Sequence, residues 1–508
     1  MQVSTNKESL YINQVIGQKT DTIIVEEDVV VPDVKPDILN TISTNGTVCI
    51  YKKEVFDGKI RIDGCINTYI IYLSDDIEIT TRGINTNIDF SQIIEMPSVK
   101  EGMIADIKLV LKDIECKVLN GRKVNIKAII DINTKVLSNE EVSFINEIED
   151  CRDIQLLNEN MELNSLLGMG NTKVYAKDTL VIDSVDNLSE ILNFDVKIIN
   201  KELKVSYNKI LIKADACVKI LYLTEDNRVC RTSQVIPVMG FIDMQDISDE
   251  DICNVDYEIK NVLIKPNSVD EHSIYVEVEL DVNCSSYKTK QVNLIQDLYS
   301  PSINLKYNQK RIRAITEKNI VKDIYSIREN RNIIEIGNSK IYDVDVKPVI
   351  TKQTNMKDRV VIEGETFIKF IFEGKNKGIE FKNVEIPFNY SIDVPNLNQN
   401  SEVDVSIDVI LEDFTTMPDQ NIDFKIDMEF NVNLSNTRFI SVIDDVMEDE
   451  TRKCERHSLV IYFVKPDDTL WKIAKRFHST IEKITAINQL EDQNKLNIGD
   501  QLFIPICI

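Results

Sequence analysis

Lys59-Ile-Arg-Ile-Asp-Gly-Cys-Ile-Asn-Thr-Tyr-Ile-Ile-Tyr72 decides the architecture, because its pattern returns twice at intervals of 150 residues. It returns as Lys209-Ile-Leu-Ile-Lys-Ala-Asp-Ala-Cys-Val-Lys-Ile-Leu-Tyr222 and as Arg359-Val-Val-Ile-Glu-Gly-Glu-Thr-Phe-Ile-Lys-Phe-Ile-Phe372. A small residue recurs (Gly64, Ala214, Gly364), and so does a terminal aromatic (Tyr72, Tyr222, Phe372). Positions Ile62, Ile212 and Ile362, then Ile70, Ile220 and Phe370, stay β-branched or aromatic. A second block keeps step. Val124, Ile126, Ala128, Ile130 and Ile132 match Ile274, Val276, Val278, Leu280 and Val282, then Phe424, Ile426, Met428, Phe430 and Val432. One such run signals only a half-buried strand. Two blocks in register across three units make three homologous domains.

Each unit reads as β structure. Period-two runs put Asp, Glu, Lys and Asn on the outward positions, as an antiparallel sheet does when one face meets water. Three tandem β-sandwich-like or open-barrel domains fit, at 1–150, 151–300 and 301–443, with Asp57-Gly58 as a hairpin turn. Helical signals are few. The clearest are Asp37–Ile42 and Leu188–Leu192, each upstream of a unit's first strong strand. Residues 444–457, rich in Asp, Glu, Lys and Arg, read as a charged, solvated linker.

A length of 508 residues suits three or four domains, and 43% hydrophobic content is that of a globular chain. The 84 acidic residues outnumber 59 lysines and arginines, for a net charge of −25. Nucleic-acid binding needs the opposite sign, and an anionic membrane surface repels such a chain. No stretch has the ~18 apolar residues of a membrane span. Neither the start of the chain, Met1 to Tyr11, nor the ten scattered cysteines, without a Cys-x-x-Cys pair, points to export, disulfides or zinc. The expectation is reduced thiols in a cytosol.

Catalytic chemistry finds no residues. His272, His457 and His478 are the only histidines, and none adjoins a nucleophile motif. No Gly-x-Ser-x-Gly, His-Glu-x-x-His or phosphate-binding glycine loop occurs. Acid pairs such as Asp75-Asp76 are expected by abundance alone in so acidic a chain. The sequence calls for no enzyme, no cofactor and no metal.

The tail is of another kind. Ile461-Tyr-Phe-Val-Lys-Pro-Asp-Asp-Thr-Leu-Trp-Lys-Ile-Ala-Lys-Arg-Phe477 gives a strand, then a helix capped by Asp468 or Thr469. Leu470, Ile473, Ala474 and Phe477 form one apolar stripe on that helix. Ile481, Ile484 and Ile487 form another, capped by Thr480, before Leu496-Asn-Ile-Gly-Asp-Gln-Leu-Phe-Ile-Pro505 closes with a strand. The whole, residues 458–508, resembles a LysM module, a small α+β unit of βααβ order that binds N-acetylglucosamine glycans or, in some relatives, proteins. Asn488, Gly499 and Pro505 match its recurrent positions. Trp471, the only tryptophan, lies about 110° off the stripe and either covers the sheet rim or anchors a partner. Lys472, Lys475 and Arg476 share its side, as a solvated face or as one that docks an acidic protein. The resemblance places a glycan groove at the loops Lys465–Thr469 and Leu490–Leu496. It implicates Lys465, Asp467, Asp468, Thr469, Leu490 and Asn494, with Trp471 and Lys475 as a docking face. Asp467 stands where the module usually has glycine, adding bulk and charge where a neutral sugar would approach.

The first unit opens with Val31-Pro-Asp-Val-Lys-Pro-Asp-Ile38, and its first strong strand ends in Ile-x-Tyr. These features resemble the SPOCS domain of spore coat and envelope proteins. The signature has decayed in the second unit (Asp183–Ile191) and is missing from the third. SPOCS repeats followed by one LysM module resemble clostridial spore coat morphogenetic proteins. That resemblance implies a non-catalytic scaffold made in the mother-cell cytoplasm, placed at the forespore surface or spore coat, and bound to the sporulation coat ATPase. The alternative is a wall or cortex protein that binds peptidoglycan or a chitin-like glycan.

Overall fold

The computed structural model describes residues 4–75, 80–149, 153–182, 187–267, 272–374, 378–398, 401–418, 420–451, 457–490, 492 and 495–507. Unit one runs β1 (Ser4–Val30), β2 (Ile38–Phe56), β3 (Lys59–Ser74), β4 (Thr81–Glu95), β5 (Ile104–Asn120) and β6 (Lys123–Glu149). Unit two repeats the series as β7 (Gln155–Val181), β8 (Leu188–Ser206), β9 (Lys209–Thr224), β10 (Val229–Asp243), β11 (Ile252–Pro266) and β12 (Ser273–Tyr299). Unit three is β13 (Ile303–Asn332), β14 (Ile341–Met356), β15 (Arg359–Glu373), β16 (Ile379–Asp393), β17 (Glu402–Thr416) and β18 (Asn421–Thr451). The tail adds β19 (His457–Phe463), α1 (Leu470–Arg476), α2 (Ile481–Asn488) and β20 (Gln501–Cys507).

Every unit is a sandwich of two three-stranded antiparallel sheets. One has the order β2-β3-β4, β8-β9-β10 or β14-β15-β16; the other β1-β6-β5, β7-β12-β11 or β13-β18-β17. The two repeated sequence blocks are the two faces of one core: Ile62, Ile66 and Ile70 of β3 meet Val124, Ile126, Ala128, Ile130 and Ile132 of β6. The β2–β3 hairpin turns at Asp57-Gly58, with φ of 77° at Gly58. Asn208 (55°) and Asp358 (58°) take the same left-handed place in the other units, which asparagine and aspartate tolerate best after glycine.

The recurring small residue has a packing cause. The register pairs Gly64 with Phe90, Ala214 with Val238 and Gly364 with Phe388. A methyl group on Gly64 or Gly364 would collide with the partner ring and with a backbone carbonyl across the sheet. Where the partner is the smaller valine, alanine fits.

The first and last strands of each unit outrun the sandwich as a long ribbon. A bulge near the middle (Val15/Gly17, Ser286/Tyr287, Ile315/Glu317) separates the sandwich half from the projecting half. The projecting halves pack on one another. Val142, Val292 and Val442, spaced by 150 residues, share a core with Leu10, Leu163 and Ile312. One hydrogen-bonded contact, Ile315 to Asn164, joins the second and third ribbons into a six-stranded sheet. The small sheets meet as well, through Ile71, Leu221 and Ile371. Contacts run from β4 to β8, β10 to β14 and β16 to β2, so the three units close into a ring.

Two expectations are overturned. Asp37–Ile42 and Leu188–Leu192 are not helical; they lie at the starts of β2 and β8. Each start carries two bulges, at Ile38/Asn40 and Thr41/Ser43 and at Leu188/Glu190 and Ile191/Asn193. A bulge inserts a residue and flips the alternation, so apolar residues fall three or four apart as on a helix. The solvated linker is also shorter than expected, since residues 444–451 finish β18 with Val446 buried among the ribbon ends. Residues 452–456 lie outside the described ones.

The Val31–Ile38 signature is a strap between the two sheets. Arg122 donates to the carbonyls of Lys35 (2.7 Å) and Val31 (3.0 Å) and to Asp37 (3.1 Å), and Tyr72 donates to the Pro36 carbonyl at 3.1 Å. Lys35 reaches the second unit, where it pairs with Glu190.

Gly364→Ala should cost about 1–3 kcal/mol by overpacking. Adding Phe388→Val should recover part of it, and urea unfolding midpoints of the three variants read the coupling directly.

Candidate functional site

The tail forms a two-stranded sheet under two short helices. Thr469 caps α1 by accepting from Lys472 N at 3.2 Å, and Thr480 caps α2 by accepting from Lys483 N at 3.2 Å. Leu470, Ile473, Ala474 and Ile484 are buried against Leu502 and Ile504, with Phe477 and Ile481 packed alongside. Ile487 is 47% exposed, so the second stripe is shorter than its sequence suggests. Asn488 is a brace: it donates to the Phe503 carbonyl and accepts from Phe503 N, both at 2.7 Å, closing the outer edge of β20.

Lys465, Asp467 and Thr469 stand exposed along the loop before α1. Asp468 is tied down, accepting from Tyr462 OH at 2.6 Å and Lys465 N at 2.9 Å. Burial raises its carboxyl, but those hydrogen bonds outweigh burial and hold it below the usual aspartate range. Leu490 packs into the module's core. Asn494 lies outside the described residues. Asp467 has φ of 64°, which explains why glycine suits this position.

Trp471 and Lys475 do not face solvent together as a docking patch. Both are turned onto the repeat body at one carboxylate, Asp297. Trp471 Nε1 donates to Asp297 Oδ2 at 2.8 Å, Lys475 Nζ to Oδ1 at 2.5 Å, and Tyr307 OH to Oδ1 at 2.8 Å. Tyr299 meets Trp471 edge to face with centroids 5.0 Å apart and donates to the Ser479 carbonyl at 3.0 Å. Asp297 sits at a bulge of β12 between Ile295 and Asp297, which aims its side chain off the ribbon. Of the other basic residues, Lys472 donates to the Asp467 carbonyl and Arg476 to Tyr462 OH. Burial pushes the Asp297 carboxyl up, yet the bonds from Lys475, Trp471 and Tyr307 bring it below its ordinary value.

No sequence signal pointed to Asp297, Tyr299 or Tyr307, which lie more than 160 residues from Trp471. A second feature was legible but unread. Residues 459–464, Leu-Val-Ile-Tyr-Phe-Val, are apolar on both faces of a strand. Val460, Tyr462 and Val464 pack under the helices. Leu459 (53% exposed), Ile461 (54%) and Phe463 (59%) point away, with Phe503 (38%) directly opposite Ile461.

A cavity of about 550 Å³ lies elsewhere, where the three units meet. Its charges pair across the seams: Lys53 with Glu258 at 2.9 Å, Lys201 with Asp408 at 2.8 Å and Lys108 with Asp404 at 3.6 Å. Burial lowers Lys318 to about 8 and raises Asp256. The cavity is a polar seam that registers three units against one another.

Residues 37–119, 187–267 and 339–419 match the family described as SipL, SPOCS domain, and residues 462–505 match the LysM domain. The chain is a triple SPOCS protein with a C-terminal LysM domain. Each SPOCS match opens at a unit's second strand and closes at its fifth, β2–β5, β8–β11 and β14–β17, leaving the ribbons outside. No curated protein and no solved structure matches the chain. SPOCS and LysM are non-catalytic domain families, and together they mark a sporulation-related protein with a module of the peptidoglycan-binding class. Among the described residues no helix is long and apolar enough to cross a membrane.

Trp471 being the sole tryptophan, its emission reports the seam. Asp297→Asn should red-shift that emission at neutral pH, with far-UV circular dichroism unchanged, after losing charge-assisted bonds worth about 2–3 kcal/mol. Because the folded carboxyl titrates below its unfolded value, its stabilisation is fully present above the ordinary aspartate value and is lost as pH falls to the lower folded value. The wild type should therefore show the same shift only in acid below the ordinary aspartate value. Asp467→Gly should stabilise the module by about 1 kcal/mol through relief of left-handed strain, read as a later denaturant midpoint of the same emission.

Proposed function

We propose that the chain is a non-catalytic scaffold for spore coat assembly, held at the forespore surface from the mother-cell side, whose LysM domain docks a protein. The coat basement-layer ATPase is the partner this reading names. The observation that carries it is the exposed apolar sheet face of Leu459, Ile461, Phe463 and Phe503. A contiguous apolar patch is suited to a protein surface, and its core is where docking energy concentrates. The helix face first expected to do this work is already occupied by Asp297, so the docking surface moves to the opposite side of the module. The carboxylate of Asp467 at the groove lip supports the same reading, since it places charge where a neutral sugar would lie. The net charge of −25 keeps the large body soluble and repels acidic partners.

Ile461→Asp combined with Phe463→Asp should weaken capture of the purified ATPase by the full-length chain at least about tenfold, given the apolar burial lost. Trp471 emission should not change. Undiminished capture with both substitutions present would remove this face from the interaction. The second reading, peptidoglycan recognition in wall or cortex, is favoured by the LysM match itself. Titrating the full chain with chitin oligomers separates the two: saturable binding that Asp467→Gly strengthens and the sheet-face variant leaves alone supports the glycan.

A further inference from the structure

β2 and β3 bring two thiols face to face. Their register sets Cys49 directly opposite Cys65. Directly opposed residues of antiparallel strands have Cα atoms about 4.5–5.5 Å apart, inside the roughly 4.4–6.8 Å that a disulfide spans. Asn67 bridges the pair: Cys65 Sγ donates to its Oδ1 at 3.3 Å, and its Nδ2 donates to Cys49 Sγ at 3.8 Å. The chain neighbours Ile50 and Ile66 point into the first sandwich. The thiols therefore occupy the other face of the sheet, which meets unit two. There Lys260 donates to the Ile50 carbonyl at 3.4 Å, and Lys53 pairs with Glu258. The corresponding register pairs in the other units are Ile199 with Asp215 and Val349 with Glu365, neither of which can bond.

We propose that Cys49 and Cys65 are a disulfide-forming site that staples β2 to β3 on the sheet face that meets the second unit. Hydrogen bonding between the two thiols lowers Cys65 and, with burial, raises Cys49, which divides the labour. Cys65 is the attacking thiolate and Cys49 the resolving thiol. The oxidant is a low-molecular-weight disulfide. The Cys65 thiolate attacks one of its sulfurs, breaking the S–S bond and releasing one small thiolate, which takes up the proton Cys65 gave to solvent. Cys49 then loses its proton and attacks the Cys65 sulfur of the mixed disulfide, releasing the second small thiol. Two protein thiols are oxidised to one disulfide, and the small disulfide is reduced to two thiols. Both side chains are buried, so exchange follows transient opening of the seam.

A second thiol pair in the same chain is the competitor, set apart by its register. The β11–β12 register opposes Cys253 to Ser286 and Cys284 to Val255, making the two cysteines diagonal neighbours. Diagonal positions stand about 7–8 Å apart by Cα, at the edge of disulfide reach, although hydrogen bonding between these two thiols lowers Cys253 and raises Cys284 as in the first pair.

The test incubates the native full-length protein with oxidised glutathione, quenches with acid, alkylates and maps peptides by mass spectrometry without reduction. The expected product is a linked Cys49–Cys65 peptide pair lighter by two hydrogens, in a protein whose thermal midpoint has risen. Cys49→Ser should instead leave glutathione attached at Cys65, with no rise in midpoint. Both thiols remaining alkylatable, also under mild denaturant that opens the seam, would overturn the proposal. So would a linked Cys253–Cys284 pair with Cys49 and Cys65 free.

Discussion

The structure depends on the packing of three β-ribbons against one another. Each unit can bury one face of its outer sheet inside its own sandwich, but the projecting ribbon halves carry apolar residues beyond the reach of their own unit's second sheet. Val142, Val292 and Val442 share one core drawn from all three units. The SPOCS matches stop short of these ribbons, so the matched sequence makes the sandwich and the flanking strands make the assembly. The same closure forms the seat of the LysM domain, because Asp297 and Tyr299 lie near the end of the second ribbon and Tyr307 near the start of the third.

Much of this was legible in the chain. Alternation is a direct imprint of a two-faced strand, and three copies of it in register removed the ambiguity of any one. The sequence failed where the alternation itself is broken. Bulges at the starts of β2 and β8 shift the pattern by one residue and imitate a helix. Residues 444–451 looked like a linker because they are acidic, yet a ribbon end buries only one side of its strand.

The site divides along the same line. Caps, stripes and the groove loop are local, and Thr469, Thr480, Asn488 and Asp467 could be placed from spacing and module likeness. Trp471 could not, because its partner is a carboxylate 174 residues away on a different unit. Its position off the apolar stripe left both rim packing and partner contact open, and what it touches is a tertiary fact. The outward face of β19 is the opposite case. Six consecutive apolar residues on an edge strand already say that both faces want cover, and only one receives it from the helices.

The module is therefore held by a polar latch and leaves an apolar face exposed among the described residues, on a body whose ribbons pack across all three units. Site-resolved amide hydrogen exchange on a Val442→Ala variant tests that interdependence most directly. One cooperative ribbon core predicts faster exchange at residues 4–15, 137–149, 155–166 and 287–299, in the two units that were not altered, as well as in the third. Faster exchange confined to residues 303–316 and 437–451 would mean that the three units fold as separate bodies.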